Sequence, residues 1–252
     1  MEKVGRYPFL AEPFHCDFSG CLFMGHLGNH MLNAADYHST DRGFGMQYLN
    51  TINRTWVLSR LAIEMDEMPR QYTRFFVETW VENAMRFFTQ RNFRIVGEDD
   101  HVYGYGRSVW AMIDTETRQP ADLLSIHDGA LLQWIESEKA CPIDKGGRVK
   151  MSDEAQLVRT ISTSYSDVDI NGHINSVKYI EHILDLWPIS WHKEHTIRRF
   201  EIAYVAEAHG GDRLSLYRQQ GADEAEQCVR ITKDDGTEVC RSKVIFRDHY
   251  TK

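Results

Sequence analysis

The sequence holds no apolar run approaching the roughly 20 residues an α-helix needs to cross a bilayer, so no membrane span is expected. Met1 to Leu10 lack the apolar centre of a secretory signal and are not rich in arginine and serine, so neither export nor organelle import is expected. Cysteine is sparse. Cys16, Cys21, Cys141, Cys228 and Cys240 are odd in number, scattered, and form no C-x-x-C pair. That argues against a disulfide framework or a cysteine-rich metal centre and leaves reduced, mostly buried thiols, with the cytoplasm as the expected compartment. Positive charge is in deficit as well. Lys and Arg number 29 against 37 Asp and Glu, a net charge of −8, which argues against nucleic acid as the main partner. What is present, 42% hydrophobic and 26% charged residues, is ordinary for a globular chain of one large domain or two small ones.

The chain divides in its middle. Glu136 to Glu154 carries Pro142, Gly146, Gly147 and many charges with little apolar periodicity, which reads as a linker. The expected division is 1–137, a linker over 138–153, and 154–252. Each half follows one order: a short strand, a loop, one helix, then long antiparallel strands. Leu27, Met31, Ala34, Ala35 and Tyr37 recur at helical spacing toward Thr40. In the second half Ile174, Val177, Ile180, Ile183, Leu184 and Trp187 form one stripe that Pro188 ends. Strands are expected at Thr55–Glu67, Tyr72–Val81, Arg86–Val96 and His101–Ile113, then at Ile197–Glu207, Asp212–Arg218, Ala225–Thr232 and Thr237–Phe246. Gly97 to Asp100 and Lys233 to Gly236 read as hairpin turns. A helix with so wide an apolar stripe must be covered, and an antiparallel sheet can curl round it. The expected fold class is therefore α+β: a tandem hotdog, each half a long antiparallel sheet wrapped round one central helix.

The halves share a short echo. Phe18-Ser19 through Met24-Gly25-His26-Leu27 lies over Tyr165-Ser166 through Asn171-Gly172-His173-Ile174 without a gap. In that overlay Leu22 and Met24 replace Asp169 and Asn171, as if one copy had kept a polar loop and the other lost it.

Asp169, Asn171 and His173 are spaced by two, so an extended loop places their side chains on one side, beside the N–H groups of the following helix. A carboxylate, an amide and an imidazole suit acyl transfer. Asp169 and Asn171 equally suit a turn and a helix cap. His26 and His30 stand four apart, as two zinc ligands on one helix would, but no third ligand is evident. Surface or capping histidines, and no metal, are expected. His182, beside Glu181, is expected to face solvent or pack between the halves rather than join a site.

The stretch Ser166-Asp167-Val168-Asp169-Ile170-Asn171-Gly172-His173-Ile174-Asn175-Ser176-Val177-Lys178-Tyr179-Ile180 resembles the signature of plant-type acyl-acyl carrier protein thioesterases and their bacterial relatives. Trp56 to Met65, Pro69 and Val77-Glu78-Thr79-Trp80 resemble that family's first strand pair, and Phe200 to Glu207 its glutamate-bearing strand. The resemblance implies a catalytic set of Asp169, Asn171, His173 and Glu207, hydrolysis of fatty acyl thioesters to free fatty acid, acyl carrier protein as substrate and partner, and no cofactor. Either Asp169 attacks the carbonyl, or His173 or Glu207 activates water. Ala208 stands where plant members often carry cysteine, so a thiol scheme has no residue at that position. The resemblance also assigns chain-length choice to the first half, with Met31, Ala34, Ala35, Trp56, Phe76 and Trp80 as acyl-pocket candidates. Arg148, Lys150, Lys178, Arg198 and Arg199 are the basic residues nearest the second-half loop in sequence, as candidates for carrier docking. An acyl-CoA thioesterase and a non-catalytic acyl-thioester-binding protein are the competing readings. A tandem chain already supplies two hotdogs, so a homodimer is compatible but not required.

Overall fold

The computed structural model describes residues 2–249, which cluster into two compact units. The first comprises the described residues up to Leu61 together with Asp66–Asp144. The second is Lys145 onward together with Ala62–Met65, a short piece of a first-half strand.

In the first unit the strands β1 (Gly5–Leu10), β2 (Arg54–Met65), β3 (Arg74–Ala84), β4 (Phe88–Gly97) and β5 (Val102–Asp114) run in the order β1-β3-β4-β5-β2. The pairings β1–β3, β3–β4 and β4–β5 are antiparallel. Helix α1 (Met24–Thr40) buries Leu27, Met31, Ala34 and Ala35. It lies against the β3 face that carries Phe75, since the His30 and Phe75 rings stand 5.6 Å apart. Burial of Leu27 and Met31 contributes about 1.5–3 kcal/mol each. Gly5 admits α1 to β1: a Cβ there would stand 2.7 Å from the His38 ring. A short helix α2 (Met46–Asn50) follows, and Phe44, Leu49, Met112, Leu123 and Leu131 form a separate cluster beyond it.

The second unit repeats the plan. Strands β6 (Gln156–Ser162), β7 (His195–Tyr204), β8 (Arg213–Gln220), β9 (Glu226–Lys233) and β10 (Glu238–Asp248) run in the order β7-β10-β9-β8-β6, all antiparallel. Helix α3 (Ser176–Leu184) buries Val177, Tyr179, Ile180, Ile183 and Leu184. Each unit is a hotdog. The stripe residues Ile174 and Trp187 are buried too, but fall outside α3, which stops before Pro188; α4 (Ile189–Glu194) begins after it. The expected linker is only partly free of structure's demands: Cys141 and Ile143 pack against Trp80. Both hairpin turns form, closed by Gly97 N–H to His101 O and Lys233 N–H to Thr237 O. No helix among the described residues is long and apolar enough to cross a membrane.

Candidate active site

Asp169 to His173 is not the extended loop that its spacing of two implied. It is a closed turn: the Asp169 N–H donates to His173 O at 2.8 Å and the Gly172 N–H to Asp169 O at 3.0 Å. Gly172 has φ +80°, left-handed backbone that a side chain resists. The Asp169 carboxylate folds back into this turn. Its Oδ1 accepts the Asn171 N–H at 2.8 Å and the His173 N–H at 3.2 Å.

The turn is anchored on both sides. Ile174 donates its N–H to Ala208 O at 2.9 Å, and His173 bridges to His209, which brings the segment after β7 alongside. Glu207 lies in that segment, three residues beyond the end of β7 at Tyr204 rather than on the strand. Its Oε2 stands 3.4 Å from His173 Nε2, both groups partly open to solvent. The structure thus brings Asp169, His173 and Glu207 together, with Asn171 exposed at the tip of the turn. Asn175 caps α3, its side-chain oxygen accepting the Val177 N–H at 3.0 Å. A hydrolytic centre needs an imidazole held by a carboxylate beside donors for an oxyanion, and these groups have that chemistry.

The residues were not all placed by sequence reasoning. His182, expected at solvent or between the halves, is partly exposed, and its Nε2 is 3.0 Å from Asp167 Oδ1, inside the second unit. The other Asp167 oxygen accepts the Ser164 N–H at 2.7 Å. Asp167, only 6% exposed, therefore ties the start of the loop to α3 from beneath. Nothing in the sequence marks a pair fifteen positions apart on a turn and a helix; the helical stripe beside His182 was the only available signal.

The acyl-pocket candidates divide. Met31, Ala34 and Ala35 are buried on α1. Phe76 and Trp80 are on the opposite face of β3 from Phe75: Arg6 lies over the Phe76 ring at 4.3 Å and Lys139 over Trp80 at 5.3 Å. They cannot share a cavity with the helical three, because alternation along β3 turns them away. Trp56 donates Nε1–H to Phe44 O at 2.9 Å and packs on the separate cluster. Among the basic candidates, Lys178 pairs with Glu181 at 2.6 Å and Arg199 is buried against Glu201, also at 2.6 Å, with Glu64 on its other side. Arg198 meets Glu64 at 3.1 Å, while Arg148 and Lys150 are exposed.

His30 also departs from expectation. His30 is 9% exposed and faces Glu12 and His15, and the His15 ring stacks on His26 at 4.1 Å. Glu12, His15 and His30 place one ligand atom each within 4.8 Å of one another.

The internal echo has a different register from the one read in sequence. The isolated bridges Cys16–Leu22 and Val168–Ile174, and the helix starts Met24 and Ser176, superpose Asp17-Phe18-Ser19-Gly20-Cys21 on Asp169-Ile170-Asn171-Gly172-His173. The hydrogen bonds agree: Asp17 N–H to Cys21 O at 2.9 Å, Gly20 N–H to Asp17 O at 3.0 Å, and Ser19 N–H to Asp17 Oδ1 at 2.8 Å. The first unit keeps the turn and its aspartate and has Cys21 in place of the histidine.

Residues 7–126 match the acyl-ACP thioesterase N-terminal domain and residues 150–248 the acyl-ACP thioesterase C-terminal domain. The chain is 54% identical to an acyl-ACP thioesterase from Bacteroides thetaiotaomicron whose crystal structure covers 97% of this chain and 98% of its own, with a TM-score of 0.90. The 12:0-ACP thioesterase from Umbellularia californica superposes with a TM-score of 0.86 at 18% identity over 98% of both chains, a likeness of fold. A chloroplastic palmitoyl-acyl carrier protein thioesterase of Gossypium hirsutum is 24% identical over 79% of this chain and 52% of its own length. The chain thus spans about half the length of the curated relatives it matches.

Proposed function

Since the chain belongs to the acyl-acyl carrier protein thioesterase family, we propose that it hydrolyses fatty acyl thioesters of an acyl carrier protein to free fatty acid and carrier thiol. The observation that carries the reading is the His173–Glu207 pair at 3.4 Å beside the Asp169 turn. Glu207 holds the imidazole with its proton on Nε2, leaving the Nδ1 lone pair to take a proton from water as that water attacks the thioester carbonyl. The tetrahedral oxyanion is stabilised by the exposed Asn171 amide at the tip of the turn. The C–S bond then breaks, and the proton held by His173 passes to the departing thiolate. Asp169, with Oδ1 already accepting two backbone N–H groups, shapes the turn that presents Asn171 and His173. Water activation is therefore favoured over attack by Asp169.

Tyr165 and Ile170 stand 97% and 92% exposed around this loop, an apolar rim for the pantetheine arm. The acyl chain is assigned to the first unit, along Met31, Ala34 and Ala35. All five cysteines are free thiols, in keeping with a reducing compartment such as the cytoplasm. The reaction requires neither a cofactor nor a second copy of the chain. The test is steady-state hydrolysis of palmitoyl-carrier against palmitoyl-CoA. A higher kcat/KM on the carrier substrate is expected; preference for CoA would make this an acyl-CoA thioesterase, and binding without thiol release would make it a binding protein.

A further inference from the structure

The repeat explains an oddity in the first unit. Under the superposition set by the two turns, His30 of α1 corresponds to His182 of α3, His15 to Asp167 and Glu12 to Ser164. In the second unit the helical histidine is satisfied: His182 Nε2 lies 3.0 Å from the Asp167 carboxylate. In the first unit the carboxylate has become an imidazole. Among the described residues His30 Nε2 is buried with no hydrogen-bond partner, its ring held 4.6 Å from Phe9 and 5.6 Å from Phe75. A buried polar nitrogen left in this way calls for a partner.

The groups that face it supply an answer. Glu12 Oε2 lies 2.9 Å from His15 Nδ1 and 3.9 Å from His30 Nε2, and the three atoms fall within 4.8 Å of one another. Ligand atoms on a tetrahedral zinc ion, at bond lengths of about 2.0–2.1 Å, stand about 3.3 Å apart. The two measured separations bracket that value, so small rotations of half-exposed Glu12 and His15 complete the geometry around a fixed His30. We propose that Glu12, His15 and His30 bind one zinc-class divalent transition-metal ion, which joins the segment after β1 to α1. Two imidazoles and one carboxylate select such ions over calcium and magnesium, which prefer all-oxygen shells. His26, stacked on His15, fixes that ring's plane.

The test uses the full chain, free of any histidine tag and stripped with chelator, titrated with Co²⁺ as the probe and competed with Zn²⁺. One Co²⁺ per chain is expected, with visible d–d bands, no thiolate charge-transfer band, and displacement by Zn²⁺. His15→Ala and Glu12→Gln should each weaken binding at least tenfold while leaving the metal-free circular dichroism unchanged. His30→Gln should abolish the bands, and the two milder variants keep the test decisive if it fails to fold. Absence of stoichiometric binding, binding unchanged in His15→Ala and Glu12→Gln, or a thiolate band from Cys16 or Cys21 would overturn the proposal.

Discussion

His38 shows how one side chain sets a property of the first unit. It is 1% exposed, its Nε2 lies 3.0 Å from Lys3 O, and burial, then the Arg91 charge, push it from 6.5 down to about 2. The folded state therefore refuses a proton that the unfolded state accepts. The resulting stability is fully present above pH 6.5 and is lost as pH falls toward 2, at up to about 1.4 kcal/mol per pH unit. Urea unfolding of His38→Gln should lose less stability than the parent between pH 7.5 and 5.5; equal losses would mean that the imidazole does not carry the effect. In the second unit Asp167 holds a turn and a helix together. Asp167→Ala removes the contact with His182 and the cap on Ser164, at a cost of about 1–3 kcal/mol, readable in the same urea assay. Neither residue announced itself in sequence. A histidine's burial and a carboxylate's partner across fifteen positions depend on packing, and no local spacing encodes them.

At the level of elements, the strands were legible because alternation and turn chemistry agree. The expected Arg86–Val96 and Ala225–Thr232 appear as Phe88–Gly97 and Glu226–Lys233. Both helices were legible from their stripes, although Pro188 ends α3's neighbourhood rather than the helix itself, which stops at Leu184. The Asp169 turn was legible as a motif and misjudged as a shape. Alternate spacing implies one face only in extended backbone, and here Gly172 at φ +80° closes the chain on itself. The register of the echo failed for a related reason. Gly-His-Leu resembles Gly-His-Ile in letters, whereas the fold matches Gly20 at φ +74° with Gly172. Gly172→Ala should cost about 1–2 kcal/mol of backbone strain and lower kcat with little change in overall circular dichroism. An unchanged kcat would show that the turn's closure is not needed to present Asn171 and His173.

Taken as a whole molecule, the chain is one plan used twice with different endings. In the second unit the turn carries His173 opposite Glu207, and the helical His182 rests on Asp167. In the first unit Cys21 stands at the histidine's place and His30 faces Glu12 and His15. The proposed function gives the chemistry to the second hotdog and the acyl chain to the first. The measurement that bears most directly on this division is carrier-thiol release under saturating acyl-carrier substrate by the parent, His173→Ala and Glu207→Gln, with folding checked by circular dichroism. General-base loss predicts a fall in kcat of about 10²–10⁴-fold for His173→Ala and a smaller fall for Glu207→Gln, both with KM nearly unchanged; folded variants that release thiol as fast as the parent would contradict it.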